Sequence, residues 1–226
     1  MLAWRCAFVE WQVVRARLVR TRLGLWLLAL VVSQLALPGS ADAPDLARLG
    51  LLAATLAVAF GAGSDADRAA LPLALSHPTT PTAVAAGRAL SAIVVADAVV
   101  LTVVAGHAWR HGWLDPHLAR AAIAGMAAAA AGAGCALAAT WTAGNTCVGA
   151  LFVFFALLTA VPPDRLAAIL GAHPLVSLSG ALLLLLPGAW RGAPLALGEP
   201  GAWLHALGWA VGGTALAALR LRRRIM

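Results

Sequence analysis

Between Leu23 and Leu219 the chain returns again and again to long apolar runs, and that recurrence dictates what it can fold into. A backbone without water around it must satisfy its own N–H and C=O groups, so such runs become membrane-crossing helices. The runs are residues 23–37, 46–61, 89–108, 118–139, 147–161 and 202–219, with a shorter one, 175–186, before the last. Hydrophobic residues make up 62% of the 226, against about 45–50% for soluble domains. Charged residues are only 11% of the chain and gather at the ends of the runs. One all-α membrane domain spanning 1–226 accounts for this pattern.

The charge supports the same class. The formal net charge is +7, and because the chain has no lysine, all 16 basic residues are arginine. A basic balance raises nucleic acid as a partner, but arginines flanking apolar runs are where lipid headgroups and topology place them. Membrane lipid is the expected partner and nucleic acid is not. Cys6, Cys135 and Cys147 have neither metal nor redox spacing.

Residues 1–22 form a basic arm. Within it Trp4, Phe8, Trp11, Val14 and Leu18 recur at three- and four-residue steps, on one helical face. Arg15, Arg17, Arg20 and Arg22 fall largely off that face, as in a helix lying along a membrane surface. The basic start followed by Gly39-Ser40-Ala41 also has the form of a cleavable signal. The long amphipathic basic region favours a retained segment.

The densest basic stretches are this arm and the tail Arg220-Leu221-Arg222-Arg223-Arg224. The positive-inside rule puts both in the cytoplasm, which requires an even number of crossings. Six satisfies it, with 164–200 read as short outer helices that re-enter the membrane rather than cross it. The long polar stretch 63–88 is then cytoplasmic. The 118–139 run, nearly all Ala and Gly with Gly125, Gly132 and Gly134, is suited to close helix approach. Gly208 and Gly212 suggest a packing face on the last run, and 140–146 a tight turn.

Two stretches carry a family likeness. The first is Val9-Glu10-Trp11-Gln12-Val13-Val14-Arg15-Ala16-Arg17. The second runs from Asp65, Asp67-Arg68 and Leu71 through Leu73-Ala74-Leu75-Ser76-His77-Pro78 to Gly87-Arg88. With His173-Pro174-Leu175, they resemble the permease subunits of ABC-2 type ATP-driven transporters and, in size and short first loop, the related small haem-exporter permeases. That likeness implies an elbow helix carrying Trp4, Phe8, Glu10, Trp11 and Arg15. It also implies a coupling helix, between the second and third crossings, that docks on a separate ATP-binding cassette subunit. Asp65, Asp67, Arg68, Leu71, Leu73, Leu75, Ser76, His77 and Pro78 would make that contact. ATP and Mg would sit on the partner, a second or homologous permease copy would complete the transporter, and export from a bacterial inner membrane is the expected direction. Two departures stand out: Ala69-Ala70-Leu71-Pro72 replaces the usual Gly-Thr or Gly-Ser-Leu, and Arg88 replaces the usual Lys.

The chain itself has no phosphate-cradling Gly-x-x-x-x-Gly-Lys loop. It is not expected to be an enzyme, and no resident cofactor or metal is expected. Asp97 lies near the middle of the 89–108 run, where an ionised carboxylate costs about 3 kcal/mol on insertion scales. It is expected to face the bundle interior, on a substrate path or in a buried hydrogen bond with a hydroxyl such as that of Thr55. The alternatives from other classes are a non-transporting membrane scaffold or regulatory subunit, and a haem-handling protein using His107, His111 or His117.

Overall fold

The computed structural model describes residues 22–36, 41–62, 80–111, 115–157, 180–182 and 184–225, with single positions at Gln12, Arg165 and Ala168. Among these residues all regular structure is helical. The helices are α1 (Leu23–Ala36), α2 (Ala43–Ala57), α3 (Pro81–His111), α4 (Pro116–Ala143), α5 (Asn145–Leu157), α6 (Gly192–Ala196) and α7 (Pro200–Ile225). A π-helical turn, Val58–Ala62, continues α2, and a 3-10 turn, Ala189–Arg191, precedes α6. Four helices are long and apolar enough to cross a membrane: Ala43–Gly61, Pro81–His111, Pro116–Ala143 and Pro200–Arg223. The apolar helices α1 and α5, of 14 and 13 residues, are shorter than a span in their described extent.

The helices begin with a repeated device, a polar residue followed by proline. Thr80 accepts the Ala83 N–H at 3.2 Å just before Pro81. Asp115 accepts the His117 N–H at 3.1 Å just before Pro116. The side chain satisfies an otherwise orphaned donor, and proline contributes no donor at a position where none is needed. Helix ends are set by glycine where φ turns positive, at Gly144 (86°) after α4 and Gly198 (78°) before α7.

The bundle is built around α4. Gly50 of α2 meets Gly125 and Ala129, Gly125 meets Leu46, and Gly132 meets Leu51 and Ala54. The contacts advance together along both helices, so α2 and α4 run parallel. On another side Gly134 lies against Trp209 and Ala210, and Gly213 against Gly134 and Cys135. Ala124 and Ala131 pack with Ala202 and Ala206 nearer the start of both helices, so α7 is also parallel to α4. Helix α3 is antiparallel to it, with Val100 at Gly125 and Arg88 at Trp141. Without side chains in the way the backbones come close, which matters where dispersion rather than the hydrophobic effect drives helix association.

These directions define two ends. Leu35 of α1 packs on Gly106 near the end of α3, so α1 starts at the end where α3 starts. The same end holds Trp141 of α4 and the arginine-rich finish of α7; it is called the basic end below. Thus the first described helix begins, and the last finishes, at one end of the bundle.

At the opposite end the chain folds over itself before α7. Gly192 seats on the backbone of Ala43 and Pro44. The carbonyls closing the short helical stretch before Pro187 are met by side chains: Arg191 donates to Leu184 at 3.0 Å and the Trp209 indole to Leu185 at 2.7 Å. Burial pulls the Arg191 pKa below the ordinary guanidinium value.

Several sequence expectations change in detail. The turn expected over 140–146 shrinks to Gly144 alone, because α4 stays helical to Ala143. Helix α3 starts at Pro81, eight residues before its apolar run, and α7 continues through the arginines, which favour a helix C-terminus. Within the chain Gly208 and Gly212 make no helix contact: a Cβ on either would meet nothing within 4 Å, and Gly213 makes the contact to α4.

Candidate functional site

The basic end is the first candidate, because the polar 63–88 stretch joins α2 to α3 there. Residues 63–79, which hold Asp65, Asp67, Arg68, Leu71, Leu73, Leu75, Ser76, His77 and Pro78, lie outside the described residues. So do the elbow positions Trp4, Phe8, Glu10, Trp11 and Arg15. What is described are the two struts that hold the stretch. On the α2 side the strut ends in the π-helical turn Val58–Ala62. On the other side α3 runs for 31 residues. That is about 46 Å of helix, against a hydrocarbon core of about 30 Å. The turns before Ala89 therefore extend past the apolar run toward the polar stretch.

Arg88 ties this extension to α4. It is 5% exposed, and its guanidinium carbon stands 5.5 Å from the centroid of the Trp141 ring, itself buried. A cation over an indole face is stabilised by the ring quadrupole, more so when desolvated. The guanidinium also joins the start of α3 to the end of α4 across the bundle. In the sequence Arg88 stands out as a motif residue, and Trp141 only as part of a turn. Nothing in the spacing of residues 53 apart signals the pair.

Asp97 is the second candidate. It is half-buried on α3, with Val94 and Leu101 exposed on one side of it and Ala96 and Val100 buried on the other. It therefore sits at the seam between the packed and the exposed stripe of α3 rather than fully inside. Its Oδ1 is shielded from solvent and has no hydrogen-bond partner among the described residues. Thr55 is buried on α2, and its hydroxyl donates to the Leu51 carbonyl at 2.7 Å, the usual back-bond of a threonine in an apolar helix. The two residues expected on one path are thus not joined by a hydrogen bond.

The remaining ionisable groups do not assemble a metal centre: among the described residues no group of three or more His, Cys, Asp or Glu is set to hold an ion. Cys135 and Cys147 are both free thiols. Comparison with known proteins adds no relative: no family model, no curated protein and no solved structure matches the chain.

Proposed function

We propose that this chain is the membrane-spanning subunit of an ATP-driven transporter of the ABC-2 permease kind, with the ATPase on a separate polypeptide. One observation carries the reading. The polar stretch between the second and third apolar helices emerges at the same end of the bundle as the arginine-rich tail, on struts that continue into the core. Six crossings, counting α1 and α5, put both termini in the cytoplasm under the positive-inside rule. The stretch then faces a cytoplasmic motor. The side-chain caps on the Leu184 and Leu185 carbonyls suit an outer re-entrant segment, whose backbone must find partners inside the protein.

In this reading, closure of the ATP-binding subunits pushes on 63–79. The push reaches α2 through its π-helical turn and α3 directly, and Arg88 passes it to α4 at Trp141. The substrate moves along the surface between two permease copies, with export from a bacterial inner membrane as the direction. Asp97, on the seam of α3, would lie beside that surface.

The test is co-purification from detergent-solubilised membranes, comparing the wild type with an Asp67→Ala/Arg68→Ala double variant. The expected outcome is an ATP-binding subunit that co-purifies with the wild type and is depleted about tenfold with the variant, the effect of deleting two charged side chains from an interface. An ATPase retained in full by the variant would remove Asp67 and Arg68 from the contact. No ATP-binding protein with either form would replace the transporter with the scaffold reading.

A further inference from the structure

The end of the bundle opposite the basic end holds a cavity of about 630 Å³ where α3 stops and α2 and α4 start, with α6 as its lid. Its polar lining is His107 and His111 from α3, Asp115, His117 and Arg120 from α4, and Asp42 from the start of α2. The rest of the wall is aliphatic. His107 is 5% exposed, yet its ring faces the cavity, stacked on that of His111 at 6.5 Å between centroids with planes 6° apart.

The polar groups divide by sign. Asp115 accepts the His117 N–H at Oδ1 and keeps a second oxygen, and Asp42 has an interaction of its own. Among the described residues, the imidazoles of His107, His111 and His117 and the Arg120 guanidinium have no hydrogen bond or ion pair. Of these groups His107 alone is buried, while His111, His117 and Arg120 are exposed, so the buried imidazole is the one that lacks a partner at a cost. A metal would use the imidazoles differently, but among the described residues no three ligands are grouped for one. An acceptor on a ligand would satisfy the His107 imidazole and meet the Arg120 guanidinium at the mouth, and the aliphatic wall would give hydrocarbon contact. A volume of this size with a mostly apolar wall and a few convergent polar groups is that of a small-molecule site.

We infer that this cavity binds an amphipathic anion, a carboxylate or phosphate head on an apolar body, with the head held by Arg120 and His107. The inference stands on the cavity and does not need the transport reading.

The test uses the full chain in phosphatidylcholine nanodiscs, with radiolabelled dodecyl phosphate as probe, dodecanol as the uncharged control and inorganic phosphate as the head alone. Saturable binding of dodecyl phosphate is expected, about tenfold tighter than either control. Arg120→Gln and His107→Gln should each weaken it about tenfold, the worth of a charge-assisted hydrogen bond. Phosphatidylglycerol added to the discs identifies the source. Displacement of the probe supports a lipid headgroup as occupant, and persistence of the probe supports a free amphiphile. Arg120 is exposed, so Arg120→Gln tests the inference even where His107→Gln does not fold. Unsaturable uptake, dodecanol binding as tightly as dodecyl phosphate, or an unchanged affinity in Arg120→Gln overturns the inference.

Discussion

Helices α4 and α7 are parallel, touch through Gly134 and Gly213, and are both long enough to cross a membrane. They nevertheless live in different surroundings. In the most apolar stretch of α4, 78% of residues are buried in the bundle, and in that of α7 only 28%. The difference follows from side-chain size. Helix α4 is mostly alanine and glycine, so neighbours can close on it from several sides. Helix α7 carries Leu204, Leu207, Val211, Leu216 and Leu219 pointing away from its neighbours. A membrane offers no hydrophobic gain for hiding such residues in protein, since lipid tails are as apolar as leucine. The contrast belongs to these two helices: the small residues of α4 face protein and the exposed large residues of α7 face outward, while leucines of α2 such as Leu46, Leu49 and Leu51 are buried in the bundle.

The sharpest way to break the comparison is Gly134→Leu. Any Cβ there falls on the Trp209 carbonyl oxygen, so α7 must move away. A loss of about 3 kcal/mol is expected, the upper range of overpacking, read as a lowered thermal transition of the detergent-solubilised protein. Arg88→Gln tests the anchor at the end of α4. Removing a desolvated cation from the Trp141 face should cost about 2 kcal/mol, and Arg88→Lys should recover part of it in the same assay. Trp209→Phe keeps an aromatic ring on α7 but deletes the 2.7 Å bond to Leu185. A cost of about 1 kcal/mol is expected, with faster protease cleavage before Pro187 as the local readout. Gly212→Ala is the smallest. With nothing within 4 Å of the new methyl, the transition should shift by less than about 0.5 kcal/mol equivalent. A large loss there would mean that a second chain already occupies this face.

The apolar runs made the helices legible, because a membrane-crossing backbone must bond to itself. The starts at Thr80-Pro81 and Asp115-Pro116 went unread, although each pair is a local start signal. Helix extent was underestimated where polar residues prolong a helix, as at 81–88 and in the arginine tail. Their helix propensity is adequate, and hydropathy does not count it. Phase was not legible. A glycine pair at 208 and 212 looks like an interface, and only a partner helix decides whether that face or the one bearing Gly213 turns inward. The candidate site was read unevenly for the same reason. The mid-run depth of Asp97 follows from its position, whereas its place on a seam depends on which neighbours pack beside α3. Thr55 was expected to reach outward to a carboxylate. The carbonyl four residues earlier lies within reach on the same helix, and the hydroxyl donates there instead. The pairing of Arg88 with Trp141 joins segments remote in sequence, where spacing carries no information.

Only Gly144 separates α4 from α5, and its φ of 86° with ψ of −174° is a combination open to glycine and hardly to any other residue. The turn into α5 is therefore made in two dihedral angles of one residue, three positions from Trp141. A rod on so short a pivot magnifies movement. Over its 13 residues, about 20 Å, a swing of about 30° at the glycine carries the far tip about 10 Å. Val148, Leu151 and Phe155 are buried against the bundle, so α5 is seated by that packing against such a swing, and any shift of it must be taken up at Gly144, where a single methyl would not be tolerated.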